Sequence, residues 1–227
     1  MRRTFGRDAS KQIIDVVLTL LETEGYDAVQ LREVARRARV SLATVYKLFA
    51  TRDELILAAI EQWMATNTYP DLARPIEGET LHDGLIRVLR HVFEPWERSP
   101  RMLEAFYRAR SGPSGSRLDA QGLDAVLPVA TEIFGGADPT YIADVGMVLT
   151  NMTYALIGRF VDKTLEITDI LPTLERVMLR MTANNEPAAR AAQNRGAVSR
   201  DLLAFLTAPY NRDPAVDSID SDRSAAE

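Results

Sequence analysis

The chain has no cysteine and only two histidines, His82 and His91. Without thiols there is no disulfide framework, no thiolate metal site and no cysteine nucleophile. The histidines stand nine positions apart, so they cannot form the i, i+4 pair of a helical zinc site. His91 and Glu94 fall on one helix face, as a surface pair. Phosphate loops are missing too, because Gly112-Pro113-Ser114-Gly115 lacks the Gly-Lys-Ser/Thr ending. No G-x-S-x-G elbow occurs. The expectation is therefore a protein that is not an enzyme and uses no cofactor or metal. Long apolar runs are also scarce. The uncharged stretch Val145–Gly158 is 14 residues, short of the ~20 that a bilayer demands. The N-terminus MRRTFGRDASKQ has no apolar h-region and is not a secretory signal. No membrane span and a cytoplasmic location are the defaults.

What is present is ordinary for a globular protein: 46% apolar and 26% charged residues in a chain of 227. The net charge of −5 is unevenly divided. Residues 1–52 hold ten Lys/Arg against six Asp/Glu, and the remainder seventeen against twenty-six. A basic module thus precedes an acidic body. No strand-like alternation, hairpin dipeptide run or repeat is evident, so the chain reads as all-α.

The helices follow from periodicity and punctuation. Residues 9–24 carry Ile14, Val17, Leu18 and Leu21 on one face and are stopped by Gly25. Leu31, Val34, Ala35 and Ala38 repeat at helical spacing. Arg39-Val40-Ser41 then breaks the pattern, and Ser41 can cap a short helix with Val45, Leu48 and Phe49 on its apolar face. Thr51 and Glu54 have capping-box spacing and start a helix to about Asn67. Residues 69–79, with Pro70, Pro75 and Gly78, read as a loop. Helices are expected over 80–97 and 101–110, interrupted around Pro95 and Ser99-Pro100. After a flexible turn at 111–116, further helices cover 118–134, 139–162 and 169–182. Residues 199–206 can form a short amphipathic helix, and the chain from about Pro209 has little to bury and reads as disordered. The expected domains are 1–52, 53–183 and a tail, 184–227.

Two short helices joined by a tight turn over 31–49 are the layout of a DNA-reading helix-turn-helix. Ala35 is small where the helices cross, and Val40 plugs the turn. At Thr44-Val45-Tyr46-Lys47-Leu48-Phe49, followed by Thr51-Arg52-Asp53-Glu54-Leu55, the sequence resembles the TetR family of bacterial transcriptional regulators. The family pattern is roughly V-A-x-x-A-G-V-S-x-x-T-[LV]-Y-x-x-F, then a short loop and [SN]-K-x-x-L; the resemblance covers residues 9–60. It implies an N-terminal three-helix DNA-binding domain joined by the fourth helix to a larger C-terminal helical domain that dimerises and binds an effector. The chain departs from the pattern at three places. Arg39 replaces the usual turn glycine, which costs roughly 1 kcal/mol if φ is positive. Leu48 replaces a His or aromatic, and Arg52 replaces a Lys.

At the tip of the reading helix Ser41, Leu42, Ala43 and Thr44 are short enough for close approach. The two hydroxyls suit phosphates or base edges, and Leu42 or Ala43 a thymine methyl. Tyr46, Lys47 and Arg52 are expected on phosphates, which position the protein without reading sequence. About four phosphate contacts per half-site would give a dimer a log–log salt slope of roughly −7. Arg32, Arg36 and Arg37 read as a solvated face, and Arg2, Arg3 and Arg7 as a solvated, disordered N-terminus.

The apolar helices around 140–162 and 169–182 are expected to form a homodimer interface, the first of them buried on all sides. The effector site is expected among Trp63, Phe93, Trp96, Phe106, Tyr107, Met147, Asn151 and Tyr154, whose soft apolar surface suits a small apolar ligand. Arg98-Ser-Pro-Arg-Met-Leu-Glu-Ala-Phe-Tyr-Arg-Ala109 is similar to actinobacterial regulators of sterol and lipid catabolism, which implies an acyl-CoA or steroid-like effector. The functional expectation is a homodimeric transcriptional repressor released from a pseudo-palindromic double-stranded operator by such a ligand. The alternatives are a constitutive DNA binder without an effector and a ligand-activated activator.

Overall fold

A computed structural model describes residues 2–72 and 74–183, with side chains from Asp8 onward. The expectations for Arg2, Arg3 and Arg7 side chains and for the tail 184–227 lie outside this range. All regular structure among the described residues is helical. The helices are α1 (Arg2–Thr23), α2 (Leu31–Arg37), α3 (Leu42–Leu48), α4 (Arg52–Asn67), α5 (Leu81–Arg98), α6 (Pro100–Arg110), α7 (Ser116–Ile133), α8 (Pro139–Val161) and α9 (Ile170–Thr182). Short 3₁₀ turns occupy Tyr26–Ala28 and Ile167–Asp169.

The starts are set by local chemistry. Thr51, Thr80 and Asp138 each accept backbone N–H bonds at the head of α4, α5 and α8, and Pro100 and Pro139 stand in the first turn of their helices. Gly25, at φ 89°, ends α1 in the left-handed conformation that a residue with a Cβ resists.

Two expectations are corrected here. α1 begins at Arg2 instead of residue 9. α5 runs uninterrupted through Pro95 to Arg98. Proline removes one backbone N–H, but it stands close to the helix end, and Phe93 and Trp96 on either side are buried. Their burial outweighs the lost bond, and the break falls at Ser99.

The turn between α6 and α7 is tighter than its Gly-Pro-Ser-Gly composition suggests. Gly115 is buried, and a Cβ there would lie 1.9 Å from the Arg110 carbonyl oxygen. Glycine is thus needed for backbone approach, which brings Arg110 opposite Asp119.

One continuous apolar cluster runs from Ile13, Val17 and Leu21 of α1 through Val45 and Ile60 to Phe106, Phe160 and Leu174. A second joins Leu85, Ile142, Val145 and Met178. The head therefore shares its core with the body, and α4 packs against both α1 and α6. No described helix is long and apolar enough to cross a membrane.

Candidate nucleic-acid interface

The reading helix is built on a buried hinge. Ala35 and Ala38 of the α2 segment, Val45 and Phe49 are buried, and Val40 is half-buried between them. Arg39 sits at φ 51°, the left-handed conformation for which the family pattern carries glycine. Ser41 Oγ accepts the Thr44 backbone N–H at 3.0 Å and lies 2.8 Å from Thr44 Oγ1, so both hydroxyls are fixed at the helix tip. Tyr46 is 53% exposed, which rules out a core role, and Lys47 and Ala43 are exposed beside it. Leu42 instead turns half-buried onto the head's own core. The surface offered to a groove is Ser41, Ala43, Thr44, Tyr46 and Lys47.

Arg52, expected on a phosphate, is engaged within the head. Its Nε donates to the Val29 carbonyl and its Nη2 to the Tyr26 carbonyl, each at 2.6 Å. The guanidinium also lies 4.7 Å from the centre of the Tyr26 ring. Charged donors on carbonyls are strong bonds, so Arg52 staples the α1–α2 connection to the start of α4.

Arg36 and Arg37 are not merely solvated. Both donate to Glu33, and Arg37 also to Glu24. Hydrogen bonds from Arg36 and Arg37 hold the Glu33 carboxyl down at about 2. Arg32, Arg39 and Lys47, by contrast, are exposed and make no ion pair among the described residues. Arg39 was visible in the sequence only as a missing glycine, yet it places a free cation in the turn before the reading helix.

In the body, the expected effector residues are split. Trp63, Phe93, Trp96 and Phe106 are buried together, with ring centres 4.4 Å apart for Trp63–Trp96 and 5.1 Å for Trp96–Phe106. They form packed core. Tyr107 lays its hydroxyl against Gly158, where a Cβ would stand 2.9 Å away. Tyr154 donates to Asp119 Oδ1 at 2.6 Å, Arg110 Nε donates to the same oxygen at 2.7 Å, and the Arg110 guanidinium lies 3.5 Å from the Tyr154 ring centre. Burial, then the Asp119 charge, pushes the Tyr154 hydroxyl well above its ordinary range.

Met147 and Asn151 do not join this group. Both are exposed on α8, and Asn151 Nδ2 donates to the Met147 carbonyl of its own helix at 2.9 Å. The expectation that α8 is buried on all sides is likewise corrected: Asp144, Met147, Asn151, Ala155 and Arg159 form an exposed row at helical spacing. The Arg110–Asp119 pair carries no local sequence signal, because its partners meet only across the Gly115 turn.

An open cleft of about 670 Å³ lies between the C-terminal half of α4 and α7, lined among others by Glu61, Tyr69 and Gln121. It contains none of the eight expected effector residues. Among the described residues no cluster of His, Asp and Glu is arranged to hold a metal ion.

A buried two-helix scaffold that exposes the tip and flank of α3, set on a helical body, defines a helix-turn-helix protein. The sequence profile of "Bacterial regulatory proteins, tetR family" matches residues 13–59, and that of "Tetracyclin repressor-like, C-terminal domain" matches residues 78–181. The chain belongs to the TetR family, whose members are regulators and not enzymes. The HTH-type transcriptional repressor KstR of Rhodococcus jostii is 31% identical over 107 residues, covering 45% of this chain and 48% of that protein. KstR of Mycolicibacterium smegmatis is 31% identical over 104 residues, covering 45% and 50%. The chain thus spans about half the length of the curated relatives it matches. The crystal structure of a TetR transcriptional regulator from Rhodococcus sp. RHA1 superposes with a TM-score of 0.59 at 18% identity, over 76% of this chain and 97% of that one. That likeness concerns the fold alone.

Proposed function

We propose that this chain is a transcriptional repressor that binds a pseudo-palindromic operator as a homodimer and is controlled by a small apolar ligand. The observation that carries the DNA-binding part is that Ser41, Ala43, Tyr46 and Lys47 are exposed, with half-buried Thr44 among them, on a helix whose other face packs Leu42, Val45 and Leu48 onto the core. Short side chains at the tip let the backbone approach a major groove, and the exposed Tyr46 and Lys47 beside them suit phosphates. Two curated relatives bear the name repressor, which favours repression over activation. The exposed row on α8 and the 48% exposed Leu179 on α9 favour a second copy of the chain as the cover for these helices. A dimer also supplies the two reading heads that paired half-sites require.

A ligand switches the protein only by binding one arrangement of the heads better than the other. The resemblance to lipid-catabolism regulators favours an acyl-CoA or steroid-like molecule. The filled aromatic core around Trp96 favours a second reading, constitutive DNA binding, and the α4–α7 cleft favours the ligand-controlled one. Fluorescence anisotropy of the protein on its own upstream DNA, beside a scrambled duplex, tests the core of the proposal. Selective binding to the first is the expected result. Sequence-indifferent binding with a monomeric protein at micromolar concentration would overturn it.

A further inference from the structure

We infer that the α4–α7 cleft is the ligand site, and that it takes a compact apolar molecule bearing an alcohol or amine rather than a carboxylate or phosphate. This rests on the reading of the body as a ligand-binding domain and narrows it, keeping the steroid-like effector and excluding the acyl-CoA one. The cleft is bounded by Glu61, Ala65 and Tyr69 of the α4 end and by Arg117, Gln121 and Asp124 of α7. Ala65, Ala120 and Ala125 leave room for an apolar body where longer side chains would fill the space.

The polar character is set by Gln121. Its Nε2 donates to the Glu61 carbonyl at 2.9 Å. A carbonyl only accepts, so the amide cannot be turned round. Oε1 is thereby fixed as an acceptor, and it is buried without a hydrogen-bond partner among the described residues. A buried acceptor of this kind asks for a donor, which an alcohol or ammonium group has and a carboxylate or phosphate lacks.

Charge points the same way. Glu61 is paired with Arg117 at 2.8 Å, and Asp119, behind Tyr69, is paired with Arg110. Asp124 on the cleft wall has no ion pair among the described residues. The surplus is negative, which repels a polyanion such as a coenzyme A thioester.

The position gives ligand binding a consequence. Gln121 and Arg117 both tie α7 to Glu61, and the other end of α4 carries the Arg52 staple to the α1–α2 connection. A molecule wedged between Ala65 and Ala120, with its donor on Gln121 Oε1, keeps the Gln121–Glu61 tie and through it shifts α4 relative to the body, and the reading heads with it.

Three probes with one apolar body separate the alternatives: 1-adamantanol, 1-adamantylamine and 1-adamantanecarboxylate, titrated into the full-length protein and followed by ¹H–¹⁵N NMR. The alcohol and amine should shift the Gln121 side-chain amide and the Ala65 and Ala120 backbone amides, with the carboxylate at least tenfold weaker. Gln121→Met, which keeps the volume and removes the acceptor, should weaken the alcohol about tenfold. Ala120→Trp, at an exposed position, should fill the cleft and abolish binding by both. Equal or tighter binding of the carboxylate overturns the proposal. So do shifts confined to residues elsewhere, or binding indifferent to Ala120→Trp. Because the titration contains no DNA, its result is independent of the operator assay. Operator binding without probe binding removes this site and leaves the regulator, and the reverse leaves the site and removes the regulator.

Discussion

At Arg52 two guanidinium N–H groups end on the carbonyls of Val29 and Tyr26, while at Arg39 the guanidinium faces solvent from a left-handed backbone. The two arginines therefore predict opposite behaviour. Arg52→Met should lower stability by about 1.5–3 kcal/mol, the range for hydrogen bonds to a charged group, measured by urea denaturation. It should leave the salt dependence of DNA binding almost unchanged. Lys47→Ala should behave the other way, with wild-type stability and a salt slope flatter by about 2 in a dimer. A slope that flattens equally in both variants would return Arg52 to the phosphate. Arg39→Gly should raise stability by about 1 kcal/mol, since glycine adopts φ 51° without the Cβ clash. The strain at Arg39 was legible in the sequence, because a family glycine was missing from a turn. The Arg52 staple was not, since its acceptors are backbone carbonyls more than twenty positions away and carry no side-chain signal.

Among the elements, those with both a cap and a periodic face were legible to within a residue or two. α4 begins after the Thr51 cap and ends at Asn67, where the sequence placed it. The capping box differs in one bond: Thr51 accepts the Glu54 N–H, but the Glu54 carboxylate reaches past Thr51 to the Ala50 N–H at 3.0 Å. Thr51→Ala should cost about 1 kcal/mol in thermal or urea unfolding. α5 was misread because proline chemistry is local, whereas the burial of Phe93 and Trp96 that carries the helix through Pro95 is tertiary. On α2 the Glu33 carboxyl falls from 4.5 to about 2 through its bonds with Arg36 and Arg37. A depressed carboxyl contributes stability above its unfolded value and loses it as pH falls towards the folded one. Melting temperature should therefore drop between pH 4.5 and about 2 by a small amount that Glu33→Gln removes. The effect is small because these side chains are largely in water. A Glu33→Gln protein with an unchanged acid limb would count against the pairing.

For the whole molecule, the open question in the sequence was whether the apolar helices near the C-terminal end close a single chain or join two. The described chain packs Ile142, Val145, Leu156 and Ile157 of α8 and Leu174 and Met178 of α9 inward, and still leaves Met147 39% and Leu179 48% exposed. A single-chain core accounts for the first set and not for the second. The head is meanwhile bound to the body by the shared apolar cluster and by Arg108. Arg108 donates to Asp27 at 2.9 Å and lies 4.9 Å from the Tyr26 ring centre. Displacement of the body should thus be felt at the 3₁₀ turn preceding α2. If α8 and α9 meet a second copy, Leu179→Glu sets a carboxylate in an apolar interface without a partner, a cost of several kcal/mol. A loss of about 3 kcal/mol weakens dimerisation more than 100-fold. Light scattering after size exclusion should then give the 25.3 kDa of one chain in place of twice that mass, with unchanged helix content by circular dichroism. Affinity for the full operator should fall far more than affinity for an isolated half-site, because the heads no longer bind as a linked pair. A Leu179→Glu protein that remains a dimer and holds its operator would place the interface elsewhere and leave the exposed face of α9 to another partner.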